Sequence, residues 1–115
     1  MNNDLDPIKY EVFIRRLKSI LEEGRQAIAM VSGSPAIAEG GEFMTSLYNG
    51  NGKGILTAAG TLFHVIGSGD AIKHAIAEYE DNPGINDEDQ FFYNDPYLAG
   101  THSMDQIIVI NYMIA

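Results

Sequence analysis

The stretch 107–115 at the end of the sequence has no charged side chain and is rich in isoleucine. β-Branched residues pack well on a pleated surface, and a run that is apolar on both faces is typical of a buried central strand. Such a strand needs a hydrogen-bonding neighbour on each edge, because buried backbone N–H and C=O groups are costly to leave unpaired. We therefore expect an incomplete sheet, which additional chain or a partner subunit finishes.

The first part of the sequence predicts one long helix. Asp6 suits the N-cap position, and Pro7 suits the first helical position. Apolar residues then recur near helical spacing: Ile8, Val12, Leu17, Ile20, Leu21, Ala27 and Ile28. Because Ser-Gly-Ser-Pro at 32–35 is typical of a helix end, we predict a helix over 7–31.

A β-hairpin is predicted next. Side chains between 42 and 48 alternate between two faces, as they do in a strand. Asn-Gly-Asn-Gly at 49–52 favours a tight turn, and a return strand follows over 54–58. For the segment 59–65 two interpretations stay open, an extended stretch or an irregular loop.

A second helix and further strands complete the predicted architecture. Gly69 and Asp70 suit a helix start, and Asn-Pro-Gly at 82–84 ends the helix. Residues 90–93 form a short strand, followed by a loop over 94–105. Together with the final strand, these elements predict an α+β chain of one domain or less.

Charge and composition exclude several classes of protein. The formal net charge is −9, whereas a nucleic-acid-binding protein needs a basic surface, so we expect no nucleic-acid partner. No apolar run approaches the length of a transmembrane helix, and the acidic N-terminus differs from a secretory signal. Cysteine is absent, which excludes disulfides and thiolate metal sites. We expect a cytoplasmic protein without a membrane partner.

The loop 94–105 carries the strongest indication of chemistry. His102 and Asp105 are separated by three positions, and a loop allows both side chains to converge on one point. Imidazole and carboxylate are good ligands for Zn²⁺, Mn²⁺ or Fe²⁺. The alternative is that the pair makes only a hydrogen bond or an N-cap.

Other residues could complete such a site, and each has a simpler interpretation. Glu42 follows two glycines that permit close approach of the backbone, but a glutamate at a strand edge is usually solvated. His64 stands between apolar neighbours, and a histidine in such a setting is more often a core residue. Asp95 precedes Pro96 and suits an Asx-turn. His74 is expected on a helix surface.

Motifs spread along nearly the whole chain resemble the N-terminal region of the hydantoinase B, acetone carboxylase α-subunit and 5-oxoprolinase family. The most specific is Asn94-Asp95-Pro96-Tyr97-x-x-Gly100-Thr101-His102-x-x-Asp105, close to the family pattern N-D-P-Y-x-G-G-T-H-x-x-D. The other matching segments, in order, are 6–12, 34–43, 48–52 and 63–68. The resemblance implies that residues 1–115 are the N-terminal portion of a hydantoinase-B-like domain.

The resemblance implies an enzyme that works as a hetero-oligomer or a fused chain. A hydantoinase-A-like subunit uses ATP and Mg²⁺ to phosphorylate the substrate, and the B-like part holds a divalent metal, Mn²⁺ or Zn²⁺. One branch carboxylates a ketone with bicarbonate and without biotin, and the other hydrolyses a cyclic amide such as a hydantoin or lactam. We expect a ketone carboxylase subunit that is inactive alone, with the amidohydrolase branch and a non-catalytic structural subunit as alternatives.

The resemblance also implies roles for individual residues. His102 and Asp105 correspond to metal ligands of the family, and Glu42 corresponds to an upstream carboxylate ligand. His64 and Asp95 are implied as catalytic groups that orient the ligands or face the substrate. A further ligand histidine of the family lies beyond the last residue here. The glycine before Glu42 resembles the ketone carboxylases, whereas the loop 94–105 is closer to the hydantoinase and acetophenone carboxylase type.

Overall fold

A computed structural model of the chain describes residues 5–59, 64–100 and 102–113. Its elements, in order, are α1 (Pro7–Val31), α2 (Pro35–Ala38), β1 (Met44–Tyr48), β2 (Gly54–Ala59), α3 (His64–Tyr79), β3 (Gln90–Tyr93) and β4 (Ile107–Ile110). The strands form two separate two-stranded sheets, β1–β2 and β3–β4. The predicted α+β class with small, incomplete sheets is therefore confirmed. No helix in the described part is long and apolar enough to span a membrane.

The chain divides into two compact units. The first unit contains the described residues up to Leu47 together with 55–59, and the second contains 48–54 and the described residues from His64 onward. The buried hydrophobic residues among those described are Leu21 in the first unit and Ala71, Ala75 and Ala99 in the second. Since burial of large apolar side chains is the main stabilising term in folding, each unit has a thin core.

Helix α1 has the predicted bounds. The Asp6 carboxylate accepts a hydrogen bond from the backbone N–H of Ile8 at 2.9 Å, and Pro7 occupies the first turn. At the other end the Ser32 N–H donates to the Ile28 carbonyl at 3.0 Å. Within the unit, the Thr45 hydroxyl of β1 donates to the Leu21 carbonyl at 3.0 Å and attaches the strand to the helix.

Removal of the α1 cap is expected to destabilise the chain. Asp6→Ala leaves the Ile8 N–H without its side-chain acceptor, and loss of such a cap costs about 1 kcal/mol. Urea denaturation followed by circular dichroism measures the difference. Glu23→Ala is the matched control, because it removes an exposed carboxylate from the middle of the same helix. Equal unfolding midpoints for the two variants would contradict the role of the cap.

Helix α2 was not predicted from the sequence. It is a single turn, in which the N–H groups of Ala38 and Glu39 donate to the carbonyls of Ser34 and Pro35. Four helical residues are too few to produce a periodic apolar pattern, so the Ser-Gly-Ser-Pro signal at 32–35 indicated only the end of α1.

Helix α3 includes residues that the sequence assigned elsewhere. The predicted helix start at Gly69 and Asp70 was wrong, because the helix already contains His64, and Asp70 bonds Lys73 one turn later at 3.2 Å. Two glycines inside α3 resemble a turn in the sequence, but close packing requires them. A Cβ atom on Gly67 would lie 2.8 Å from the Ala99 carbonyl oxygen, and one on Gly69 would lie 2.6 Å from the Gly52 carbonyl oxygen.

A buried polar contact also fixes α3 within the second unit. Ser68 is buried, and its hydroxyl bonds the Tyr48 hydroxyl and the Val65 carbonyl. The turn at Gly52, whose φ is +75°, brings the hairpin tip against Gly69. These contacts show why a serine between two glycines is helical here although the local sequence favours a turn.

Strands β3 and β4 are antiparallel, with Phe91 opposite Val109 and Phe92 opposite Ile108. The β3 bounds agree with the prediction. One face of the sheet packs on α3, where Phe91 stacks on Tyr79 with 5.5 Å between ring centroids. On the other face Phe92, Ile108 and Ile110 are exposed. We call these three side chains the outer face of the β3–β4 sheet.

The prediction of a buried strand over 107–115 was wrong in extent and burial. Strand β4 ends at Ile110, and its side chains alternate between half-buried and exposed. Beyond it, Asn111 exchanges backbone hydrogen bonds with Glu88 and Asp89, and the Met113 N–H donates to the Asp87 carboxylate at 2.7 Å. These partners belong to the acidic loop 85–89, which therefore bonds the backbone groups that a longer strand would have paired. Residues 114 and 115 lie outside the described part.

Tyr93 ends β3 with its hydroxyl buried. That hydroxyl has no hydrogen-bond partner among the described residues, and its ring lies edge-on to His74 at 5.8 Å. Burial raises the pKa of Tyr93, and the neighbouring Tyr79 and Glu78 add to the effect. The phenol therefore stays protonated throughout the physiological range.

Candidate metal centre

Three donor side chains come together in the second unit. His64 lies in the first turn of α3, and His102 and Asp105 lie on the loop before β4. One ligand atom from each lies within 4.8 Å of those of the other two. His64 Nε2 lies 3.5 Å from Asp105 Oδ2, and His102 Nδ1 lies 3.6 Å from Asp105 Oδ1. Asp105 thus stands between the two imidazoles.

The loop that holds His102 and Asp105 is shaped by its own backbone contacts. The Asp95 carboxylate accepts from the Tyr97 N–H at 2.9 Å, and its carbonyl accepts from the Leu98 N–H at 3.1 Å. Gly100 lets the chain fold back, because a Cβ there would lie 3.1 Å from the Pro96 Cα and 3.4 Å from the Asp105 Cβ. The turn chemistry read from the sequence is therefore present.

Asp105 has a structural contact besides its position between the histidines. Its Oδ2 accepts from the backbone N–H of His102 at 2.9 Å, and its own N–H donates to the His102 carbonyl at 3.2 Å. The hydrogen-bonding interpretation of the His-x-x-Asp pair is thus correct for the backbone of His102. The same carboxylate still faces both imidazole rings, so the two interpretations are compatible.

The cluster is open on one side. Asp105 and His64 are 15% and 24% exposed, whereas His102 is 64% exposed. A partly desolvated carboxylate beside two imidazoles places one negative charge and three donor groups around one point, an arrangement that suits a metal cation. The imidazole rings are tilted by 59° with centroids 6.1 Å apart, which leaves space between them.

The donor set fits a divalent metal ion. Two imidazoles and one carboxylate are ligands of zinc and of other first-row divalent ions. Donor atoms around a tetrahedral zinc ion lie about 3.3 Å apart, given bonds of about 2.0–2.1 Å. Each separation from Asp105 is close to that value, with a different carboxylate oxygen facing each imidazole, and one ligand atom from each residue lies within 4.8 Å of the other two.

The other sequence candidates lie in different settings. Glu42 is exposed and belongs to the first unit, and its assignment as a metal ligand stays a prediction. The Asp95 carboxylate forms the Asx-turn that its position before Pro96 predicted. Its role as an orienting group stays a prediction. His74 is half-buried beside Tyr93 rather than on the helix surface. Thr101 of the motif lies outside the described residues.

The proximity of His64 to Asp105 was the main feature that the sequence did not predict. From the sequence His64 was one of several residues that could complete the site, and the resemblance implied a catalytic role for it. The structure places its Nε2 as close to Asp105 as the His102 imidazole is. No local sequence signal indicated this contact, because the predicted helix began at Gly69. In a helix that starts at His64, residues three apart share a face, so His64 and Gly67 point to the same neighbour. Gly67 packs on Ala99 of the loop.

A family model and two curated proteins match most of this chain. The family model described as Hydantoinase B/oxoprolinase matches residues 6–114. The acetone carboxylase alpha subunit of Xanthobacter autotrophicus is 35% identical over 101 residues, covering 87% of this chain and 13% of that protein. The acetophenone carboxylase delta subunit of Aromatoleum aromaticum is 28% identical over 104 residues, covering 90% of this chain and 15% of that protein. The chain thus spans a small part of the curated relatives that it matches.

Proposed function

The chain belongs to the hydantoinase B/oxoprolinase family, and from that premise we propose that it contributes part of a divalent-metal active site to an ATP-dependent, biotin-independent ketone carboxylase. The single observation that carries the proposal is the 35% identity with an acetone carboxylase alpha subunit over 87% of this chain. The second relative is also a ketone carboxylase subunit. The ketone carboxylase branch is therefore favoured over the other chemistry of the family.

In this proposal His64, His102 and Asp105 hold the metal ion, Mn²⁺ or Zn²⁺. When bound, such an ion supplies Lewis-acid polarisation of a carbonyl or phosphoryl oxygen. Asp105 contributes negative charge and fixes the loop through the His102 N–H, while α3 carries His64 to the site. Glu42 is retained as a further candidate ligand, and Asp95 as the residue that holds the loop in shape.

The proposal requires partners. Both relatives are named as subunits, and this chain covers only 13% and 15% of their lengths. We assign ATP and Mg²⁺ to a hydantoinase-A-like subunit, and the rest of the active site to the remaining part of the B-like subunit. Ketone and bicarbonate are the proposed substrates, and the chain alone is proposed to be inactive. The proposed location is the cytoplasm, in keeping with the absence of cysteine from the sequence.

A second candidate is hydrolysis of a cyclic amide, which the family description itself favours. The two reactions share ATP consumption but differ in the second substrate. ATP hydrolysis that depends on a ketone, together with incorporation of labelled bicarbonate into the product, supports the carboxylase. ATP hydrolysis that depends on a hydantoin or on 5-oxoproline, without bicarbonate, supports the amidohydrolase instead.

Loss of His102 is expected to remove the metal. In the purified complex that contains this chain, His102→Ala should lower metal affinity by at least about tenfold, because even residues that only orient ligands have effects of this size. Elemental analysis after dialysis measures metal content, and incorporation of labelled bicarbonate into acid-stable product measures activity. His74→Ala is the matched control, since it removes an imidazole of α3 that faces Tyr93.

Unchanged metal content and activity in His102→Ala would refute the assignment of this residue. A wild-type complex without stoichiometric divalent metal, and without turnover of either substrate class, would support the non-catalytic structural role. These outcomes separate a wrong ligand from a wrong function.

A further inference from the structure

We propose that the pocket between α1 and α2 in the first unit binds a small organic carboxylate with a short apolar body. The pocket has a volume of about 330 Å³. Volumes near the lower end of the range for ligand sites suit small molecules rather than nucleotides. All residues that line the pocket belong to the first unit, and none of them belongs to the proposed metal centre.

Arg25 supplies the cationic group of this pocket. Its side chain is 23% exposed, and the guanidinium lies 5.1 Å from the centroid of the Phe43 ring. Nη2 donates to the Gly41 carbonyl at 3.3 Å, and Nη1 lies 4.0 Å from the exposed Glu22 carboxylate. Both contacts are long, so they satisfy the guanidinium only weakly.

The guanidinium therefore has donors left to use. Among the described residues, Nη1 has only the 4.0 Å ion pair with Glu22 and is open to a ligand, while the buried Nε has no hydrogen-bond partner. A partly buried arginine with unsatisfied donors is costly, because desolvation of the charge is not repaid by hydrogen bonds. A planar carboxylate offers two acceptor oxygens that match the guanidinium, and such bidentate pairs are among the strongest hydrogen bonds in proteins.

The rest of the pocket suits the apolar end of the ligand. Ala29, Ile37, Ala38 and Phe43 line it together with Arg25. The backbone after α2 packs closely on Arg25 at Gly41. This residue has a φ of +64°, and a Cβ there would lie 2.9 Å from Arg25 Nη2. The alanine, isoleucine and phenylalanine side chains give the pocket an apolar part beside the Arg25 guanidinium, next to the polar Gln26 and Glu39.

The surrounding charge favours a singly charged ligand. Glu39 also lines the pocket, and Glu22 lies beside Arg25. The chain as a whole carries a net charge of −9. These negative charges oppose a dianion such as phosphate about twice as strongly as a monocarboxylate. Inorganic phosphate has no apolar group to pack against the apolar side chains of the pocket, so an organic monocarboxylate is the better match.

The test is titration of the full chain with sodium benzoate, followed by backbone amide NMR. Benzamide is the uncharged analogue of the same shape, and inorganic phosphate is the compact anion. Arg25→Met keeps the length of the side chain and removes the charge, and should weaken benzoate binding by about tenfold or more. Arg15→Met is the matched control, because Arg15 is an exposed arginine of the same helix that pairs with Glu11.

Arg25→Met also removes the contact between the guanidinium and the Phe43 ring, so a second variant that keeps Arg25 is needed. Ala29→Leu keeps Arg25 and fills part of the pocket, so it should also weaken benzoate binding. Saturable benzoate binding that Arg15→Met retains and the other two variants lose supports the proposal. It is overturned if wild-type chain shows no saturable binding, if benzamide or phosphate binds as tightly as benzoate, or if neither pocket variant changes the affinity.

Discussion

Gly67→Ala is expected to lower the stability of the chain and to separate His64 from its partners. The added methyl group would lie 2.8 Å from the Ala99 carbonyl oxygen and 3.4 Å from its carbonyl carbon. Both are backbone atoms of the loop that leads to His102, so no flexible side chain can move aside. Alanine gains about 1 kcal/mol in helix propensity, but overpacking against rigid backbone atoms costs about 1–3 kcal/mol, so we expect a net loss of up to about 2 kcal/mol.

Gly24→Ala is the matched control for this substitution. Gly24 lies inside α1, and a Cβ there has no atom within 4 Å. Only the propensity and unfolded-state effects apply, so Gly24→Ala should stabilise the chain by about 1 kcal/mol. Urea denaturation of the two variants should give shifts of opposite sign. A stabilising Gly67→Ala would mean that α3 does not press on the loop.

Asp105 is expected to show two separable effects. Asp105→Asn keeps an oxygen that can accept from the His102 N–H but removes the charge between the imidazoles. It should lower metal affinity of the intact complex by at least about tenfold with little change in stability. Asp105→Ala also leaves the His102 N–H without its acceptor, so it should lose metal and about 1–3 kcal/mol of stability.

Elemental analysis of the complex and urea denaturation of the chain distinguish the two effects. Asp87→Asn is the control, because Asp87 also accepts a backbone N–H, from Met113, but lies in the exposed acidic loop. Its metal content should match wild type. If Asp105→Asn retains full metal content, the carboxylate serves only to hold the loop.

The sequence predicted the elements whose signals are local. Helix α1 has a side-chain cap at Asp6 and a clear end near Ser32, and β3 is a short apolar run between turn residues. The start of α3 could not be predicted, because Gly67 and Gly69 are helical only through contacts with residues distant in sequence, Ala99 and Gly52. Strand β4 is shorter than predicted for the same reason, since the acidic loop bonds Asn111.

The candidate site was predictable to a similar degree. His102 and Asp105 could be paired from their spacing, because a loop closed by Asp95 and Gly100 holds them together. Placing His64 beside them required knowledge that α3 packs on this loop, which no local pattern contains. Assignment of Glu42 depends on the resemblance, because its residue type and its neighbours favour a solvated side chain equally well.

The outer face of the β3–β4 sheet has a practical consequence. Phe92, Ile108 and Ile110 are exposed, and no described strand pairs with the remaining edge of either β3 or β4. Unpaired backbone groups beside an apolar surface recruit identical strands from other molecules. The net charge of −9 opposes this self-association through repulsion that salt screens. Concentration and ionic strength should therefore affect every measurement on this chain. Dilute, low-salt solutions are the conditions in which the properties of the single chain are measured.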